Sequence, residues 1–306
     1  MIDRLIPSKQ ISLALASAFT VTLSLWGNAA LAGDPFRTSN PRNIGDNTEA
    51  AFEAIFKEGN YPQAKVYLMA AELTEKQDPL PLAMRASLAY TEKDWETLNT
   101  YAGKTRQTAE QLVPNDPLRG NLYLAVAHFL EGAYTFKTEG GPLGAVNKLQ
   151  KVFQYLEKAE KADPEDPEIN LLKGYMELLL AVNLPFSSPT EAIERFEENA
   201  APTYLVRRGI AVAYRDLENY DQALTYTEKA LEMTPNNPEL HYLKAQILYK
   251  LGKIGQKPEL VREAIAHFDK ALEKADQLPR GILRPITWER EQVQKWLEAN
   301  QSSVSL

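Results

Sequence analysis

Cysteine is absent from all 306 residues, which excludes disulfides, thiolate-held zinc, iron–sulfur clusters and a thiol nucleophile. Histidine is nearly absent, and three residues leave little for metal ligation or general-base chemistry. Positive charge is in deficit: 34 Lys and Arg stand against 41 Asp and Glu, a formal −7. No basic footprint results, so no nucleic-acid partner is expected. Runs of alternating β-branched residues are missing too, and with them any sign of a sheet. What is present, 44% hydrophobic and 25% charged residues, is the balance of a folded chain rather than a disordered one. The length leaves a choice between two globular domains and one extended array.

The amino terminus reads as an address. Arg4 and Lys9 precede an apolar stretch from Ile11 to Trp26, followed by the small-residue pair Ala30 and Ala32, which places cleavage before Gly33. The stretch is shorter than the ~20 residues a spanning helix needs, and no later run is long enough to span. Residues 1–32 are therefore expected to be a cleavable signal peptide, and the mature chain an exported one in a bacterial periplasm, with a thylakoid lumen as the other compartment using such a signal. Residues 33–46, rich in Pro, Asn, Arg and Ser, are expected to form a flexible lead-in, and 301–306 a disordered tail.

From residue 47 to 300 apolar positions recur at i, i+3, i+4 spacing between short breaks. Three breaks share one form, Pro, two polar residues, Pro: Pro114 to Pro117, Pro164 to Pro167 and Pro235 to Pro238. The first proline stops a helix, the polar residue offers an N-cap, and the second proline fits the first turn of the next helix. Between breaks, Ala223 and Ala230 lie seven apart on one helix face; Ala264, Phe268 and Ala271 repeat that order, as do Ala64, Leu68 and Ala71, and in part Ala192 and Phe196. Small residues let two helices approach, and the large one fills the space between them.

These residues resemble the tetratricopeptide repeat family, whose unit is about 34 residues. The copy from Thr203 to Pro235 carries Ile210, Ala211, Tyr214, Tyr220, Ala223 and Ala230 in the family's slots; Ala245, Gly252, Ala264, Phe268 and Ala271 follow in the next unit, interrupted between Lys253 and Leu260, and Gly174 and Ala159 mark a third. The exported form of the repeat looks like secreted solenoids of cyanobacteria. The resemblance implies an all-α, right-handed solenoid of about six helix pairs, approximately 47–76, 79–111, 117–162, 166–200, 203–233 and 237–277. A capping helix, Arg284 to Ala299, would close it, with Trp288 and Trp296 packed on the last pair. One elongated superhelix is expected, with a concave groove lined by the first helix of each pair.

Helical phase nominates His128, Tyr175, Arg208, Arg215, Tyr242, Gln246 and Tyr249 as groove-facing. Arg208 and Arg215, seven apart, could receive a carboxylate from a partner or pair with the acidic residues around Asp216, Glu218 and Asp221. The tyrosines suit an interface or the core. His241 and His267 could approach each other, but no third metal ligand is visible. Glycines 140, 141 and 144 lack the Lys-Ser/Thr of a phosphate loop and read as a turn. No nucleophile–base–orienter set is found, so neither catalysis, cofactor nor metal is expected. The function expected is a non-catalytic, protein-binding scaffold or assembly factor. The alternative is a soluble periplasmic receptor for a small molecule or glycan, and weak self-association through the arginine face is a further possibility.

Overall fold

The computed structural model describes residues 33–138, 142–183 and 189–301. Residues 1–32, with the expected cleavage residues Ala30 and Ala32, and residues 139–141, 184–188 and 302–306 lie outside them. Within the described residues every regular element is helical, and thirteen α-helices and one 3₁₀ turn follow in order.

Six antiparallel pairs account for twelve of the helices. They are α1 (Asp46–Phe56) with α2 (Tyr61–Thr74), α3 (Pro79–Glu92) with α4 (Trp95–Leu112), and α5 (Pro117–Thr138) with α6 (Pro142–Ala162). Next come α7 (Pro167–Asn183) with α8 (Pro189–Asn199), α9 (Thr203–Asp216) with α10 (Tyr220–Met233), and α11 (Pro238–Ile254) with α12 (Pro258–Leu272). The 3₁₀ turn Ala275–Gln277 leads to a terminal helix, α13 (Arg280–Gln301). The chain is an α-solenoid. The residues between Lys253 and Leu260, extra relative to the repeat, mostly lengthen the two flanking helices rather than forming a loop.

The breaks work as their chemistry dictates. Asp116 accepts from the Arg119 N–H at 2.9 Å, Asp166 from Ile169 at 2.9 Å, and Asn237 from Glu239 and Leu240 at 2.9 and 3.2 Å. Asn60, Asp78, Asp94 and Asn219 cap α2, α3, α4 and α10 in the same way. Inside the pairs, Ala64, Leu68, Ala71, Ala223, Ala230, Ala264, Phe268 and Ala271 are almost wholly excluded from solvent. Gly174 is required on α7 because a β-carbon there would run into the Phe196 ring of α8.

Two expectations fail. The array is not elongated, because its sixth pair returns to its first. The Asn237 side-chain amide donates to the carbonyls of Phe56 and Lys57 at 3.2 and 3.3 Å, and the Tyr61 hydroxyl donates to Glu239 at 2.8 Å. Gly59, at φ +68°, turns beneath Pro238, leaving no room for a side chain. Nor is the lead-in loose: Phe36 and Ile44 are buried, and Asp34 accepts the backbone N–H groups of Phe36 and Arg42 at 2.9 and 3.1 Å. Its composition reads as flexible because the groups that hold it lie more than 120 residues away.

Candidate binding chamber and trough

Coiling of the array turns the concave face into a chamber that is open to solvent on one side. First helices of all six pairs contribute to it: Phe52 and Phe56 from α1, Leu80, Ala83, Met84 and Ser87 from α3, Tyr123 and Val126 from α5, Leu171, Leu172 and Tyr175 from α7, Leu205 and Arg208 from α9, and Glu239 from α11. Phe36 of the lead-in and Tyr61 of α2 complete the wall around about 350 Å³. Ser87 is exposed and marks the side open to solvent.

Few polar atoms face this space, and protein groups hold them. Arg208 pairs with Glu239 at 2.6 Å, the Tyr175 hydroxyl donates to the Leu205 carbonyl at 2.7 Å, and Ser87 donates to the Ala83 carbonyl at 3.0 Å. Burial opposes the charge on Arg208, but Glu239 overcomes it and raises the guanidinium above its ordinary value. Burial likewise pushes the Tyr175 hydroxyl up to about 12.

Beside the chamber runs a buried ionic cluster that fastens the lead-in. Arg42 reaches Asp166 and Glu168 at 2.7 Å each, and Arg37 also pairs with Asp166. Arg119, buried on α5, meets Glu168 and Asp78 at 3.1 Å each, and Tyr123 donates to Glu168 at 2.5 Å. Burial by itself would lower Arg119, yet Glu168 and Asp78 hold it well above its usual value, so its charge is retained.

A second cavity is an open trough of about 510 Å³ where the ends of α9 and α11 meet α13. Arg215, Asp216, Tyr249, Lys250, Trp288 and Glu289 are among its lining residues. The Trp288 ring is 61% exposed, contrary to the expectation that it packs on the last pair. Trp296 does pack there, edge-on to Tyr249 at 6.2 Å between ring centres.

The seven groove candidates thus divide. Tyr175 and Arg208 line the chamber, while Arg215, Gln246 and Tyr249 line the trough. Tyr242 lies at the seam with α13, donating to Glu289 at 2.6 Å, and Gln246 donates to the same carboxylate at 2.8 Å. His128 does not face the groove. It is buried between α5 and α6, stacked on Tyr155 and hydrogen-bonded to Glu131 at 3.2 Å. Neither arginine is left open for a carboxylate: Arg208 holds Glu239, and Arg215 holds Asp216 at 2.7 Å and Gln246 at 2.9 Å.

Two of these partnerships were readable in principle, since Arg208–Glu239 and Arg215–Gln246 both span 31 residues, one repeat period. Phase alone points a residue inward; adding the period says what meets it. The ionic cluster and Phe36 had no such signal. His241 and His267 do meet, Nδ1 to Nδ1 at 3.0 Å. Among the described residues no group of three His, Asp or Glu side chains is placed to hold a metal, nor is any helix long and apolar enough to cross a membrane.

With this geometry in view, a family model described as TPR repeat matches residues 212–252, which carry the α10–α11 turn and seven trough-lining residues. The chain contains a tetratricopeptide repeat. The human antiviral innate immune response effector IFIT1 is 28% identical over 244 residues, 71% of this chain and 48% of that protein. This repeat chain therefore spans about half the length of its curated relative. Human IFIT1 solved as a dimer with PPP-AAAA aligns with a TM-score of 0.45 and 20% identity, covering 83% of this chain and 58% of that one. A thermophilic TPR protein of Thermus thermophilus aligns at 0.32 and 16% identity, covering 81% and 97%.

Proposed function

We propose that this chain is a non-catalytic, exported scaffold that holds a protein partner in the trough between α9, α11 and α13. One observation carries the reading: Trp288 stands 61% exposed on the trough rim, beside Tyr249 and Arg215. Trp, Tyr and Arg are the residues in which interface energy concentrates, because they combine large contact area with a directed polar group. Lys250 adds an exposed cation with no ion-pair partner among the described residues.

Export is supported by the order of residues 4–33 and by a contact at the expected cleavage point. The Gly33 nitrogen lies 2.8 Å from the Glu49 carboxylate, where an α-ammonium released by processing would find its counter-ion. The periplasm is the compartment proposed, with a thylakoid lumen as the equivalent. A nucleic-acid partner is not proposed for this chain, although IFIT1 was solved with PPP-AAAA. Arg208 in the chamber and Arg42 and Arg119 in the cluster beside it are each matched by carboxylates, so a phosphate chain meets little unmatched positive charge there.

The test is affinity capture of residues 33–306 from envelope extract, followed by titration of the purified partner. Trp288→Ala should weaken that partner roughly 30-fold, the ~2 kcal/mol of an interface hot spot, with helical circular dichroism unchanged. Equal affinity for wild type and Trp288→Ala would remove the trough from the reading.

A further inference from the structure

We infer that the chamber lined by the six first helices is a separate binding site for an uncharged, predominantly apolar small molecule with one hydrogen-bond-accepting end. Its volume of about 350 Å³ lies at the lower end of the ~300–1,000 Å³ of small-molecule pockets. An engineered apolar cavity of about 150 Å³ stays dry and takes up benzene. A space more than twice that size accommodates two fused or linked rings, or a medium-length hydrocarbon chain. That volume is too small for a peptide helix, which is ~10–12 Å across with its side chains.

Chemistry of the wall narrows the class further. Phe36, Phe52, Leu80, Met84, Leu171 and Leu205 are buried residues that reward apolar contact, and ordered water gains few partners among them. A glycan is a poor occupant, because its many hydroxyls would lose water without finding acceptors. At the polar end stands Arg208. Its charge is neutralised by Glu239, yet among the described residues Glu239 is the one hydrogen-bond partner of its five N–H groups. A carbonyl, ester or ether oxygen can accept from those that remain. A carboxylate would bring a net negative charge into a low-dielectric space beside Glu239, which is unfavourable.

The chamber is independent of the trough, so the two proposals fail separately. The probe is N-phenyl-1-naphthylamine, a neutral aromatic amine that fluoresces in apolar surroundings, titrated into residues 33–306. Saturable one-to-one binding is expected, displaced by methyl laurate at least tenfold better than by laurate, and not by maltotriose. Ser87→Trp places an indole at the open side from an exposed helical position and should raise the probe's Kd at least tenfold. Leu172→Trp fills the interior and should do the same with circular dichroism unchanged. Trp288→Ala should leave probe binding as it was. Non-saturable binding by wild type, binding untouched by both tryptophan variants, or displacement by maltotriose would overturn the assignment. Tighter displacement by laurate than by its ester would overturn the uncharged class.

Discussion

His241 and His267 sit on α11 and α12 with their rings stacked 5.2 Å apart and their Nδ1 atoms 3.0 Å apart; neutral His241 donates from Nε2 to the Pro235 carbonyl at 2.9 Å, so its Nδ1 accepts from His267. Burial, followed by the positive charges of Lys244, His241 and Lys270, pushes His267 down to about 4, and burial also lowers His241. A histidine whose folded pKa lies below its unfolded value binds its proton better in the unfolded chain. Its contribution is therefore fully present above pH ~6.5 and is lost as pH falls toward 4. Between pH 8 and pH 5 the unfolding free energy should drop by about 2 kcal/mol through this histidine pair. His128, lowered by burial, adds a smaller fall of the same sign. Urea unfolding at the two pH values checks this, and His267→Asn should remove most of the difference. A pH dependence as steep in the variant as in wild type would place the titrating group elsewhere.

Among elements, the lead-in separates what the sequence shows from what it hides. Helix pairs were legible because their signals are local: Pro235, Asn237 and Pro238 stop one helix, cap the next and start it within four residues. Residues 33–45 carry no period, and only Phe36 and Ile44 hint at burial. Their anchor, Asp166 capping α7 and Glu168 in its first turn, is brought near only by stacking of the intervening pairs. The same limit applies to the candidate site. Tyr175 and Arg208, nominated by phase, line the chamber, but phase could not show that Glu239 would already occupy the guanidinium. Once folded, the lead-in acts as a wall of the chamber. Phe36→Ala should cost about 3 kcal/mol, the low end for a buried aromatic because the ring already borders a void. It should also admit bulkier probes than N-phenyl-1-naphthylamine. Urea unfolding and a probe-size series read the two effects apart, and a destabilisation below about 1 kcal/mol would mean that the lead-in is held by its arginines alone.

In the whole molecule, an open solenoid and a closed one differ in where they come apart. When each repeat touches only its neighbours, the end repeats have one interface each and open first. Here the ends share an interface of their own. The Asn237 side-chain oxygen caps α11 while its amide holds the carbonyls of Phe56 and Lys57. No local pattern predicts this, because closure is the sum of small rotations at five successive seams. The two roles of Asn237 can be separated, since Asp caps a helix as well as Asn does but has no amide to donate. Asn237→Asp should keep α11 and set a carboxylate against two carbonyls, so that hydrogen exchange in α1 and α2 accelerates about 10- to 100-fold, the ~1–3 kcal/mol of an acceptor left unsatisfied. Asn219→Asp, at a cap that makes no closing contact, should leave that exchange unchanged. Slow exchange of α1 and α2 in wild type, matched to the middle pairs, together with selective loss in Asn237→Asp, is the signature of a closed array. Fraying of the terminal pairs already in wild type would mean that the contact forms without contributing stability, and the chamber would then open and close with it.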